Sequence, residues 1–161
     1  MFVKLDHVGL VARSIDEASA ILVDQLGLVI DREQSNWPNG SYFAPEQTYN
    51  FFFWVGEGDT QVEVLIPAPD ATSGTARYLA KHGPGMHHLC YACRDVEEEA
   101  ARLLATGLTR IALPRTADGR TTAAFFHPSG TGGVLTELVP VKQPTMLPGG
   151  GKTNRRTPAL R

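Results

Sequence analysis

Two histidines and two glutamates stand at matching places in the two halves of this chain. His7 lies in Leu5-Asp6-His7-Val8-Gly9 and His88 in Gly85-Met86-His87-His88-Leu89, each early in a β-prone run. Glu63 opens Glu63-Val64-Leu65-Ile66-Pro67 and Glu137 opens Glu137-Leu138-Val139-Pro140, each in the last such run of its half. With His88 laid on His7, Arg94-Asp95-Val96-Glu97 falls on Arg13-Ser14-Ile15-Asp16, which marks a duplication. If the first strand of each half returns beside its last, His7 nears Glu63 and His88 nears Glu137. A lone strand histidine is more often a structural residue, but packing alone does not require a His and a Glu at equivalent places twice. Two imidazoles and two carboxylates in one cavity suit a divalent metal. Imidazole favours Zn, Ni, Co or Fe, and carboxylates favour the harder Mn or Mg. Two carboxylates neutralise a 2+ ion, and four ligands leave two octahedral positions for substrate or water.

The elements that must position these residues are legible from pattern. Residues 2–11 alternate and then run apolar, which predicts a strand. Ser14 with Glu17 forms a capping box, so a helix starts there and ends near Gly27. A second strand is expected over 27–33, and Ser35-Asn36-Trp37-Pro38-Asn39-Gly40 is a loop. Strands follow at Tyr49–Val55 and Thr60–Ile66, separated by the turn Gly56-Glu57-Gly58-Asp59. Thr75–His82 reads as a short helix closed by Gly83. The second half repeats the order: strand 86–93, a helix capped by Asp95 and stopped at Gly107, then strands near 108–112, 121–126 and 133–139. The expected fold class is α+β, two paired βαβββ modules forming a half-closed barrel around a metal site, with helices outside. The first module spans 1–67, a linker with its short helix 68–84, and the second module 85–140. A Pro/Gly-rich tail occupies 141–161.

Composition excludes several function classes. The chain has 161 residues, 42% hydrophobic and 20% charged, which are ordinary globular values. It has no run long enough to span a membrane, and the N-terminus has no secretory pattern. Two cysteines without such a signal point to a reducing, cytoplasmic setting. The net charge is −2, and the tail alone contributes +5 through Lys142, Lys152, Arg155, Arg156 and Arg161. The rest therefore carries −7, a poor surface for nucleic acid.

The segments around His7, Glu63, His88 and Glu137, together with Phe126-His127-Pro128-Ser129 and Tyr78-Leu79-Ala80-Lys81-His82-Gly83, resemble the vicinal oxygen chelate superfamily. Within it they look most like methylmalonyl-CoA epimerases, from about residue 4 to 140. The resemblance implies a commonly dimeric protein whose divalent metal, held by His7, Glu63, His88 and Glu137, chelates two substrate oxygens and stabilises an enolate. It also implies a small-molecule substrate, such as an acyl-CoA. Two departures stand out. These epimerases usually carry Gln where this chain has Glu63, and a His/Glu/His/Glu set resembles bacterial lactoylglutathione lyases instead. Aligned without a gap through Pro45-Glu46-Gln47-Thr48-Tyr49-Asn50, the epimerase proton-transfer position falls on Phe51. Epimerisation normally needs two acid/base groups, so Glu137 and Glu63 are the expected catalytic pair. The function expected first is a metal-dependent isomerase or epimerase acting through a metal-bound enolate. The alternatives are a glyoxalase-type lyase on a small dicarbonyl or hydroxy-carbonyl substrate, and a non-catalytic small-molecule binder of the same superfamily.

Other residues have plainer readings. Cys90 and Cys93 lie three apart on a strand, on opposite faces, and read as core residues rather than a metal pair. His87 is expected to point away from His88, and His127 to be structural. Phe51, Arg115 and Arg120 are the candidate substrate-binding residues. Either arginine would hold a carboxylate or phosphate, or both belong to a solvated loop. The run from Tyr49 to Trp54 is expected to give one aromatic row to the core and one to the cavity.

Overall fold

The structure, a computed structural model, describes residues 1–113 and 123–141. Arg115, Arg120 and all of the basic tail beyond Val141 lie outside the described residues. The first half contains β1 (Phe2–Val11), β2 (Val29–Ile30), β3 (Ser41–Phe43), β4 (Thr48–Trp54) and β5 (Gln61–Pro67). The second contains β6 (Gly85–Cys93), β7 (Arg110–Ile111), β8 (Ala124–Phe126) and β9 (Leu135–Pro140). All of them form one curled, open sheet in the order β2-β4-β5-β1-β6-β9-β8-β7, with β3 paired to β4. Within each half the first strand lies parallel to the last, β1 on β5 and β6 on β9. The halves join through the antiparallel β1–β6 pair.

The helices begin where the sequence places them. Helix α1 starts at Ile15, with the Ser14 hydroxyl accepting from the Glu17 N–H at 3.2 Å. It runs on as wider π-type winding over Ala20–Gln25. Helix α2 spans Gly74–His82 and is capped by Ser73. Helix α3 spans Val96–Ala105, capped by Asp95, and carries three glutamates in its first turn, where the helix dipole favours negative charge. Gly27 and Gly107 follow α1 and α3 at φ 72° and 91°, a left-handed conformation that costs glycine little. The expected second strand of each half is shorter than its β-prone stretch, only Val29–Ile30 and Arg110–Ile111 being paired. Among the described residues no helix is long and apolar enough to cross a membrane.

Strand alternation divides each half into two faces. Phe51, Phe53 and Val64 pack with Ala18 and Leu22 of the first helix. Phe126 and Leu138 pack with Val96, Ala100 and Leu103 of α3. Their strand neighbours Phe52, Glu63, Phe125 and Glu137 face the other way, into a shared cavity of about 740 Å³. Hydrophobic packing under the helices thus fixes which residues the concave face receives.

Candidate metal centre

The four side chains paired in the sequence meet in space. In β1 and β5, His7 stands opposite Gln61, two residues before Glu63. In β6 and β9, His88 stands opposite Leu135, two residues before Glu137. The identical offset makes the halves related copies about the β1–β6 seam. His7 Nε2 and His88 Nε2 are 3.1 Å apart. Each is 3.1–3.3 Å from both Glu63 Oε2 and Glu137 Oε2. The four residues are between 1% and 8% exposed, so water does not satisfy them.

This donor set fits a divalent cation. Two ring nitrogens face each other at 3.1 Å, where protonating both would bring two imidazolium charges into contact. One ligand atom from each residue lies within 4.8 Å of all the others. A 2+ ion among these atoms would balance both carboxylates and use both nitrogen lone pairs. The electrostatics agree that positive charge belongs here. Burial opposes the charged form of His88, but hydrogen bonds that it donates to Glu137 and Glu63 override it and push the pKa up to about 9. His7 is likewise raised: burial opposes its charge, and bonds to Asp6, Cys90, Glu137 and Glu63 overcome it. Burial resists ionisation of Glu63 and Glu137, yet the two histidines hold both below the usual carboxylate range.

Neighbouring residues hold this set in place. The Asn50 side-chain N–H donates to Glu63 Oε1 at 2.8 Å, aiming Oε2 at the histidines. Asn50 Oδ1 is buried without a partner among the described residues, and Asn50 lines the cavity. Phe52 and Phe125 set their ring edges against His7 and His88 at centroid distances of 6.2 and 6.3 Å. Each phenylalanine sits across from the glutamate of its own half, Phe52 from Glu63 and Phe125 from Glu137. Gly9 lies opposite His88, whose ring occupies the space a side chain there would need.

Two expectations need correcting. Phe51 does not face the cavity: it is 3% exposed and packs edge-on to Trp37 in the core under the first helix. The alternation that points Glu63 inward makes Asn50 and Phe52 the cavity residues of β4. His87 does not point away from His88 but lines the cavity, its Nδ1 3.1 Å from His88 Nδ1. A β-bulge explains this, because Gly9 pairs with His88 and Leu10 with Met86, leaving His87 as the extra residue.

Pattern reading also passed over Glu46. It lines the cavity outside the four-residue cluster, and its Oε2 accepts from the Thr75 N–H at 3.1 Å and the Thr75 hydroxyl at 2.9 Å. The available signal was a carboxylate just before a cavity-facing strand, matched to a hydroxyl residue in the first turn of the linker helix. Cys90 and Cys93 are free and fully buried. His127 caps the turn Pro128–Gly130 by accepting from the Ser129 N–H, and it does not line the cavity.

The chain is similar to several known proteins. The chain is 29% identical over 136 residues to an uncharacterised Bacillus subtilis protein, covering 84% of this chain and 90% of that one. It is 28% identical over 146 residues to an ethylmalonyl-CoA/methylmalonyl-CoA epimerase of Cereibacter sphaeroides, covering 86% and 98%. The crystal structure of methylmalonyl-CoA epimerase from Mycobacterium tuberculosis superposes with a TM-score of 0.71 at 26% identity, covering 88% of this chain and 90% of that one. The glyoxalase/bleomycin resistance protein/dioxygenase superfamily matches residues 6–125, which include three of the four clustered side chains. With its duplicated half-units and its His/Glu cluster on the concave face, the chain belongs to that superfamily.

Proposed function

We propose that this chain is an epimerase moving a proton at the carbon next to a carbonyl, with a 2-substituted acyl-CoA as the substrate class. The observation that supports it most is the buried His7, Glu63, His88 and Glu137 set in a largely apolar cavity, in a chain related over most of its length to acyl-CoA epimerases. When bound by these four residues, a divalent cation supplies Lewis-acid polarisation of a substrate carbonyl. The protein's own groups bind, orient and exchange the proton.

Removing a proton from one face of the carbon and returning one to the other takes two acid/base groups. Glu63 and Glu137 are both engaged with the histidines, and Glu63 is further tied to Asn50. Glu46 lines the same cavity outside that cluster. Thr75 holds its Oε2, which leaves Oε1 for substrate. We therefore place Glu46 as one proton-transfer group and Glu137 as the other. Phe52 and Phe125 keep water from the reacting carbon, and exclusion of water strengthens the electrostatic interactions inside.

A lyase acting on a dicarbonyl or hydroxy-carbonyl substrate is the second reading. Asn50 favours it, because Oδ1 offers an unused acceptor to a substrate hydroxyl. The two readings separate in D2O. Cation-loaded protein and methylmalonyl-CoA of one configuration should give deuterium at the substituted carbon together with inversion. Absence of exchange, with turnover of a hemithioacetal instead, overturns the epimerase reading.

A further inference from the structure

The β1–β6 seam is interrupted by bulges, and two of them bracket the metal centre. Leu5 pairs with Tyr91 and His7 with Cys90, so Asp6 has no residue opposite it. Gly9 pairs with His88 and Leu10 with Met86, so His87 has none either. In a regular strand, neighbouring side chains point to opposite faces. A bulge cancels that rule locally and turns the extra residue toward its neighbour. As a result Asp6 Oδ1 lies 3.1 Å from His7 Nδ1, and His87 Nδ1 lies 3.1 Å from His88 Nδ1. Asp6 is 4% exposed, and the Lys4 ammonium holds its other oxygen at 3.6 Å. His87 is half-buried with its ring edge-on to Tyr78 at 5.0 Å.

We propose that these bulges supply each histidine ligand with its own positioning residue, Asp6 for His7 and His87 for His88, and that the two partners are unequal. The inference rests on the reading of His7, Glu63, His88 and Glu137 as a cation site.

A neutral imidazole offers the Nε2 lone pair only when its proton is on Nδ1. His7 then donates Nδ1–H to a carboxylate, which fixes the ring and makes Nε2 a stronger donor. His88 donates Nδ1–H to His87 Nδ1, a neutral acceptor that fixes the ring without a negative charge. The same bond places the proton of His87 on its Nε2, for which no partner exists among the described residues. The duplication thus yields two ligands of the same type but different strength, with the stronger on the Asp6 side.

Co2+ titration of the metal-free protein tests this, using variants whose metal-free thermal midpoint and circular dichroism match wild type. Asp6→Asn keeps the shape and an acceptor but drops the charge, and should weaken Co2+ binding roughly tenfold or more. His87→Phe removes the acceptor and should also weaken it, whereas His87→Gln restores an acceptor and should recover most of the affinity. The loss in Asp6→Asn should exceed that in His87→Gln. Unchanged affinity in both Asp6→Asn and His87→Phe overturns the inference while leaving the cation site in place. Failure of wild type to bind Co2+ overturns both. Imidazole 15N–1H spectra of the Zn2+-loaded wild type need no variant. His7 and His88 should appear as Nδ1–H tautomers and His87 as the Nε2–H tautomer, and the reverse assignment for either pair overturns the proposal.

Discussion

A side chain at Gly9 would put its Cβ 2.1 Å from Cε1 of His88. The two residues face each other across the β1–β6 seam, and the imidazole lies where any other residue would intrude. His88 is 1% exposed, and the open space beside its ring is the cavity. Gly9→Ala should therefore turn the ring away from Glu63 and Glu137, lower the thermal midpoint, and weaken Co2+ binding by tenfold or more. Gly58→Ala, where the nearest atom would be 3.7 Å away, is the control and should match wild type in both measurements.

Glu46→Gln separates proton transfer from cation binding. Glu46 lies outside the four-residue cluster, so the variant should keep its Co2+ affinity. Its rate of inversion should fall roughly a hundredfold or more, the usual worth of a general base. Thr75→Val, which removes one of the two bonds holding Glu46 Oε2, should fall by less. Inversion at the wild-type rate in Glu46→Gln would return the second role to Glu63.

Phe51 and Phe52 are adjacent but face opposite ways. Phe51→Ala opens a hole in the packed core and should cost about 3–5 kcal/mol of stability in chemical denaturation. Phe52→Ala widens the cavity beside His7, and should shift preference toward bulkier 2-substituents at a smaller cost in stability.

The contrast between these neighbours marks where the sequence was legible. The duplication placed His7 with Glu63 and His88 with Glu137, because each half carries its His in its first strand and its Glu in its last, a match that local irregularity does not erase. The capping residues Ser14 and Asp95 were readable because their hydrogen bonds span three residues. The face on which a residue lies was harder to read. Period-two alternation assumes an unbroken ladder, and the bulges at Asp6 and His87 break it. Those bulges depend on pairing between residues 80 or so apart, which no local pattern carries. Glu46 was missed because Thr75, which holds its carboxylate at the cavity, sits in a helix that lies outside both repeats.

Protonation of the cation-free site makes stability depend on pH. The folded pKa of His88 is raised to about 9 from an ordinary 6.5, chiefly by Glu137 and Glu63 acting against burial. Its contribution is fully present below pH 6.5 and is lost as pH rises through about 9. The thermal midpoint of the cation-free protein should therefore fall across that window. A bound cation needs the neutral imidazole, so Co2+ affinity should rise with pH across the same window, up to about 9. Calorimetry in buffers of different ionisation enthalpy should show protons released on binding. A midpoint flat with pH, together with no proton release, would contradict the raised pKa.

The most direct measurement is the cation content of the purified protein and of its His88→Ala and Glu137→Ala variants, after exchange into Co2+ and removal of free ion. Wild type should hold about one cation tightly per chain, as expected for a single four-ligand site. Both variants should lose it while staying folded. Equal content in wild type and His88→Ala would contradict the account, because that residue supplies one of the two facing nitrogens on which the site is built.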